Sequence, residues 1–132
     1  MKTAVLFISF LLYSYNSEAQ NNVIADTASP AFVETLPIFE GGDQMFYRFL
    51  VTELVYPQEA VEREIQGKVF IAFEVDTLGH LLNMSVIRSV HPLLDEEAMR
   101  VIRKSDGKWK PATINGIPIS SKMTVPVVFS LR

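Results

Sequence analysis

Nine residues in the middle of the chain, Lys-Val-Phe-Ile-Ala-Phe-Glu-Val-Asp at 68–76, put Val69, Ile71, Phe73 and Val75 on one side and Lys68, Glu74 and Asp76 on the other. A period of two belongs to a strand with one face buried, and such a strand persists only when other elements cover that face. The flanking sequence supplies them. Gly41-Gly42-Asp43 opens a helix with Phe46, Phe49, Leu50 and Leu54 at helical spacing and Asp43 as its N-cap, ending before Tyr56-Pro57. Pro57 takes the favoured first position of a second helix, which carries Ala60, Val61 and Ile65 on one face and stops at Gly67.

Asp76-Thr77-Leu78-Gly79 reads as a turn, and a second strand over 81–88 returns as a hairpin with Leu82, Met84 and Val86 on one face. His91-Pro92 interrupts it. A third helix over 94–104 turns Leu94, Ala98, Val101 and Ile102 inward. Its Asp95, Glu96 and Glu97 at the start and Arg100, Arg103 and Lys104 at the finish suit the helix dipole. After a turn at Asn115-Gly116 the chain closes in a third strand over 122–131, with Val125, Val127, Phe129 and Leu131 on one face. A right-handed crossover through the third helix leaves the first strand in the middle. The expectation is an α+β fold: one three-stranded antiparallel sheet in the order 2-1-3, helices on one face, the last strand at an edge.

Residues 1–19, MKTAVLFISFLLYSYNSEA, have one Lys, an apolar run of 11 residues from Thr3 to Tyr13, and small residues at Ser17 and Ala19. The run fits a secretory signal peptide, whose apolar part is roughly 7 to 15 residues, and is short of the roughly 20 that span a bilayer. A cut before Gln20 leaves 113 of the 132 residues, one small domain, preceded by a polar linker at 20–35 that contains Pro30. The domain proper is 36–132. These features place the protein in the periplasm, tethered to the inner membrane if the leader is retained. The chain has no Cys, which rules out disulfides, thiolate zinc sites and thiol nucleophiles. Its net charge of −3 offers no basic field for nucleic acid.

Pro126 lies inside the last strand, and proline has no amide to donate to a second neighbour, so it belongs at an edge. With position 126 turned outward, the amides of Val125, Val127 and Phe129 pair inward and those of Thr124 and Val128 face out. Such an edge can accept an extended peptide. Proline also protects edges from unwanted pairing, and the residues alone leave both readings open.

An ordered set of segments carries a family resemblance: Phe39-Glu40-Gly41-Gly42, Tyr56-Pro57 with Ala60, Gly67-Lys68-Val69, Phe73-Glu74-Val75-Asp76 with Gly79, Leu94-Asp95-Glu96-Glu97-Ala98, Trp109-Lys110-Pro111, Asn115-Gly116-Ile117-Pro118, and Val125-Pro126-Val127 with Phe129 and Leu131. From Leu36 to Leu131 the chain resembles the C-terminal domain of TonB in its Bacteroidetes form. The resemblance implies a non-enzymatic periplasmic module that grips the TonB-box segment of an outer-membrane TonB-dependent transporter by strand addition, and so contributes to energy-coupled transport. It implies contacts near Tyr56 and Pro57 and a pairing strand made of Thr124, Val125, Pro126, Val127, Val128 and Phe129. Full transducers of that family add a membrane helix and a long Pro-rich spacer, so the resemblance implies binding rather than force transmission by this chain alone. An alternative is an envelope accessory domain that self-pairs through the edge strand or docks on other envelope proteins.

Other chemistry reads as bland. Ser105-Asp106-Gly107-Lys108 matches the S-x-x-K of penicillin-binding enzymes, but Gly107 reads better as a helix stop and partner motifs are missing. His80 and His91 are isolated turn histidines, Glu74 and Asp76 a polar strand face, and Trp109 a packing anchor. No cofactor, catalytic residue, metal ligand or small-molecule substrate is expected.

Overall fold

The computed structural model of the chain describes residues 33–131 together with Ala4–Val5. The elements are β1 (Ala4–Val5), β2 (Glu34–Thr35), β3 (Ile38–Phe39), α1 (Asp43–Glu53), α2 (Gln58–Glu62), β4 (Gly67–Val75), β5 (Leu81–Arg88), α3 (Pro92–Lys104), β6 (Trp109–Lys110), β7 (Ala112–Ile114), β8 (Ile117–Ile119) and β9 (Ser121–Leu131). Apart from Ala4–Val5, the leader at 1–19 and the linker as far as residue 32 lie outside the described residues. Among the described residues no helix is long and apolar enough to cross a membrane.

The fold is α+β with antiparallel sheets. In place of one three-stranded sheet there are three sheets: the expected strands lie side by side in β1-β9-β4-β5, which β1 extends to four, and β2-β7-β8 and β3-β6 were not expected. The two small sheets are built from strands of two or three residues, too short to leave a periodic trace in sequence. Glu34 and Thr35, read from sequence as the end of the linker, pair with Ile114 and Thr113 in β2 and β7. Phe39 pairs with Trp109 across β3 and β6.

The core forms where the period of two meets the period of 3.6. Val69, Ile71, Phe73 and Val75 of β4 and Met123, Val125, Val127 and Phe129 of β9 pack beneath Phe46 and Leu50 of α1, Ala60 of α2, and Leu94, Ala98, Val101 and Ile102 of α3. Each fully buried Phe, Leu, Ile or Val here contributes roughly 1.5–3 kcal/mol of transfer free energy, against which chain entropy is set. Trp109 wedges into one end, with ring centroids 5.1 Å from Phe46, 5.4 Å from Phe73 and 5.7 Å from Phe39.

Local chemistry shifted several expected boundaries. Gly42, at φ 90°, is the N-cap of α1 in place of Asp43, which is the first helical residue. α2 ends at Glu62 because Glu64 turns left-handed (φ 57°) and the Ile65 amide returns to the Ala60 carbonyl at 2.9 Å. Gly67 begins β4 instead, where an added Cβ would lie 2.8 Å from Val90. His91 is not a free turn residue: its Nδ1 accepts from the Leu93 amide at 3.1 Å, so α3 is capped there and starts at Pro92. In β5, Asn83 at φ 53° accompanies a register irregularity between Ala72 and Glu74. That bulge makes Leu81, not Leu82, join Met84 and Val86 against the core, and Leu82 is left exposed.

Candidate functional site

The loop between α1 and α2 is tied down from α3. Arg100 donates through Nη2 to the Glu53 carbonyl at 2.8 Å and holds Glu97 through two further bonds, of 2.7 and 2.8 Å. Glu97 Oε2 accepts the Val55 amide at 2.6 Å. Lys104 meets Glu53 at 2.8 Å, and this hydrogen bond, with the Lys104 charge behind it, holds the Glu53 carboxyl below its ordinary pKa. The chain is thereby delivered to Tyr56-Pro57 in a fixed direction, and Pro57 biases Tyr56 toward an extended backbone. The Tyr56 hydroxyl donates to the Ile65 carbonyl, and its ring stands edge-on to Phe129 with centroids 5.4 Å apart and planes at 87°. Burial pushes the Tyr56 hydroxyl pKa up. Two residues singled out from sequence, Tyr56 and Phe129, are thus in contact, with Pro57 beside them as the half-buried N-cap of α2.

β9 pairs with β4 without a break from Gly67 opposite Phe129 to Val75 opposite Ser121, and Pro126 sits opposite Phe70. The Leu131 amide donates to Gln66 Oε1 at 2.7 Å, and Gln66 immediately precedes β4. Odd-numbered amides of β9 therefore face β4. By alternation the even positions face away: Pro126, which has no N–H, flanked by Thr124 and Val128. The outer side of β9 carries β1 at its far end, Ala4 opposite Leu131 and Val5 opposite Ser130. The last strand is thus not a bare edge along its whole length, as sequence suggested. Among the described residues no strand pairs with the outer side of 121–129.

Both faces of β9 are covered over the segment singled out from sequence. Val125 and Val127 are fully buried, Phe129 nearly so, Val128 is 8% exposed, and Pro126 is buried. Thr124 alone of the six is half-exposed. Apart from the Thr124 side chain, what 124–129 can present to a partner is main chain.

Sequence reasoning missed a groove of about 660 Å³ beside the start of β9, lined by Glu34, Leu36, Glu74 and residues 120–124. Glu34 and Leu36 sit in an aperiodic stretch and reach β9 only through the pairing of β2 with β7, so no local signal marks them.

Residues that tempted a catalytic reading are committed to structure. Ser105 is fully buried, its hydroxyl donating to the Ile102 carbonyl at 2.5 Å and accepting from Trp109 Nε1 at 2.9 Å. His80 Nδ1 lies 3.3 Å from Asp106, which also accepts the Leu81 amide. Among the described residues no three His, Asp or Glu side chains gather as metal ligands would.

Residues 52–131 match the family model described as the Gram-negative bacterial TonB protein C-terminal. The chain belongs to the TonB C-terminal family. The matched stretch takes in Tyr56, Pro57 and all of β9, so the TonB C-terminal domain includes every residue that sequence singled out as a contact. Two curated relatives, each named Protein TonB and each from a strain of Xanthomonas campestris pv. campestris, are 36% identical over 78 residues, 58% of this chain. The match spans about a third of those relatives, 34% of their length. No solved structure matches the chain.

Proposed function

We propose that this TonB C-terminal domain recognises the TonB-box segment of an outer-membrane TonB-dependent transporter by β-strand addition to the outer side of β9 at 124–129, in the periplasm, and so contributes to energy-coupled transport. One observation carries the reading. Along a strand whose side chains are buried, the alternation fixed by Leu131 and Gln66 turns the main-chain groups of Thr124 and Val128 outward, and Pro126 between them has no N–H to leave unsatisfied. The same side of β9 already accepts an extended segment, Ala4–Val5, in antiparallel register at Ser130 and Leu131. Main-chain pairing supplies affinity in this mode, and Tyr56 and Pro57 stand at the Phe129 end as a flanking contact.

Titration of the isotopically labelled protein with TonB-box peptides, followed by backbone amide shifts, tests this. Shifts concentrated at 124–129 and Tyr56 are expected. Shifts scattered elsewhere, or no binding at millimolar peptide, reject it.

A further inference from the structure

We infer that Glu97 and Arg100 of α3 are positioning residues of the proposed strand-addition site: without touching a partner themselves, they hold the loop that presents the Tyr56 ring beside the Phe129 end of β9. The inference rests on the strand-addition reading and on Tyr56 as its flanking contact. α3 is a fixed support, because Leu94, Ala98, Val101 and Ile102 bury it in the core. Glu97 and Arg100, three residues apart and so neighbours on the helix surface, both reach the loop between α1 and α2. Groups mounted on a packed helix are held more closely than groups on a loop.

The pair grips main chain at two points. Glu53 ends α1, and the residue four further on is Pro57, which has no N–H, so the Glu53 carbonyl has no helical donor; Arg100 Nη2 supplies one at 2.8 Å. The Val55 amide is the first beyond the C-cap, Leu54, whose own amide still returns to Leu50. It donates to Glu97 Oε2 at 2.6 Å. Glu97 and Arg100 are joined to each other by charge-assisted bonds of 2.7 and 2.8 Å, so the two points are held by one unit. The Glu97 side chain is only 10% exposed, whereas Val55 is 63% exposed and its side chain offers little anchorage of its own. With the Val55 amide released, the backbone at Val55 and Tyr56 would be restrained by the contacts of Tyr56 alone, its hydroxyl on the Ile65 carbonyl and its ring on Phe129.

The test is a double-mutant cycle on the full chain, with binding of TonB-box peptides followed by backbone amide shifts. Glu97→Ala should weaken binding about two- to tenfold while leaving the β4–β9 amides of the free protein in place. Glu97→Gln keeps an acceptor for the Val55 amide and should recover part of that loss. In a Tyr56→Ala background, where the ring to be positioned is gone, Glu97→Ala should change affinity by less than about twofold. Equal weakening in both backgrounds marks a merely structural role and overturns the inference. Unchanged affinity in Glu97→Ala, with Tyr56→Ala binding weakly, also overturns it. If Tyr56→Ala binds as tightly as the unsubstituted protein, with shifts still at 124–129, the inference fails and the strand-addition reading stands. Binding by none of the proteins, the unsubstituted one included, overturns both. Arg100→Lys, which keeps the charge and loses the double grip, runs the same cycle where Glu97→Ala fails to fold.

Discussion

Tyr56 and Phe129 meet edge to face, 5.4 Å between centroids, and this contact joins the helix-flanking loop to the end of the last strand. Tyr56→Phe keeps the ring and loses only the hydroxyl bond to Ile65, so unfolding free energy should fall by about 0.5–1.5 kcal/mol. Tyr56→Ala removes the ring as well and should cost about 3 kcal/mol. Denaturant titration measures both. Peptide affinity should drop for Tyr56→Ala and survive in Tyr56→Phe.

The alternation of amides along β9 makes two proline substitutions opposite in effect. Val125→Pro deletes an amide facing β4 and leaves its acceptor unpaired, which should destabilise the fold by about 1–3 kcal/mol. Thr124→Pro deletes an outward amide, so thermal unfolding should change much less while peptide binding weakens. Equal destabilisation by both would contradict the assigned direction of the strand.

Gly79 and Gly116 both lie at positive φ, 85° and 82°, yet only one is crowded. A Cβ at Gly79 would fall 2.1 Å from the Trp109 carbonyl oxygen, whereas nothing lies within 4 Å at Gly116. Gly116→Ala should therefore cost about 1 kcal/mol for the left-handed backbone alone, and Gly79→Ala about 2–4 kcal/mol, because the backbone of the Trp109 anchor must move. Melting temperatures of the two variants separate these contributions.

Acid should weaken the fold through two carboxylates. The Asp76 carboxyl is held below its ordinary pKa chiefly by the His80 amide, with the Leu78 amide assisting, and Glu53 is lowered chiefly by the hydrogen bond from Lys104. A folded-state pKa below the unfolded one gives a contribution that is complete above the unfolded value and disappears as pH falls through the folded value. Stability should hold from neutral pH to about 5 and decline below about 4. The decline should be shallower in Asp76→Asn, which keeps an acceptor for both amides but no charge to titrate, and shallower again with Glu53→Gln. Chemical denaturation midpoints across that range, at low salt, measure it.

Much of the framework was legible because β4, β9, α1 and α3 rest on periodicity over eight residues or more, and the hairpin turn at Asp76 on its turn residues. What escaped depends on single backbone conformations or distant pairings. Asn83 in a left-handed conformation exchanges Leu81 for Leu82 at the core, and no residue pattern forces Asn to do so there. His91 caps α3 although histidine is not among the strongest capping residues. Of the candidate site, the strand was readable from its period, and Tyr56 and Pro57, which the family resemblance implies as contacts, lie beside its Phe129 end. The groove was not readable, because Glu34 and Leu36, two of its lining residues, are held by the distant pairing of Thr35 with Thr113, whose hydroxyls lie 2.7 Å apart.

The burial of both faces of β9 has a consequence for selection among partners. If a strand adds there as proposed, an edge that shows little besides peptide groups would read conformation and be nearly blind to residue identity, so one such socket could serve many partners whose only common property is a short extended segment. Discrimination among such partners would then fall to side chains at the flank of the strand, Tyr56 and Pro57.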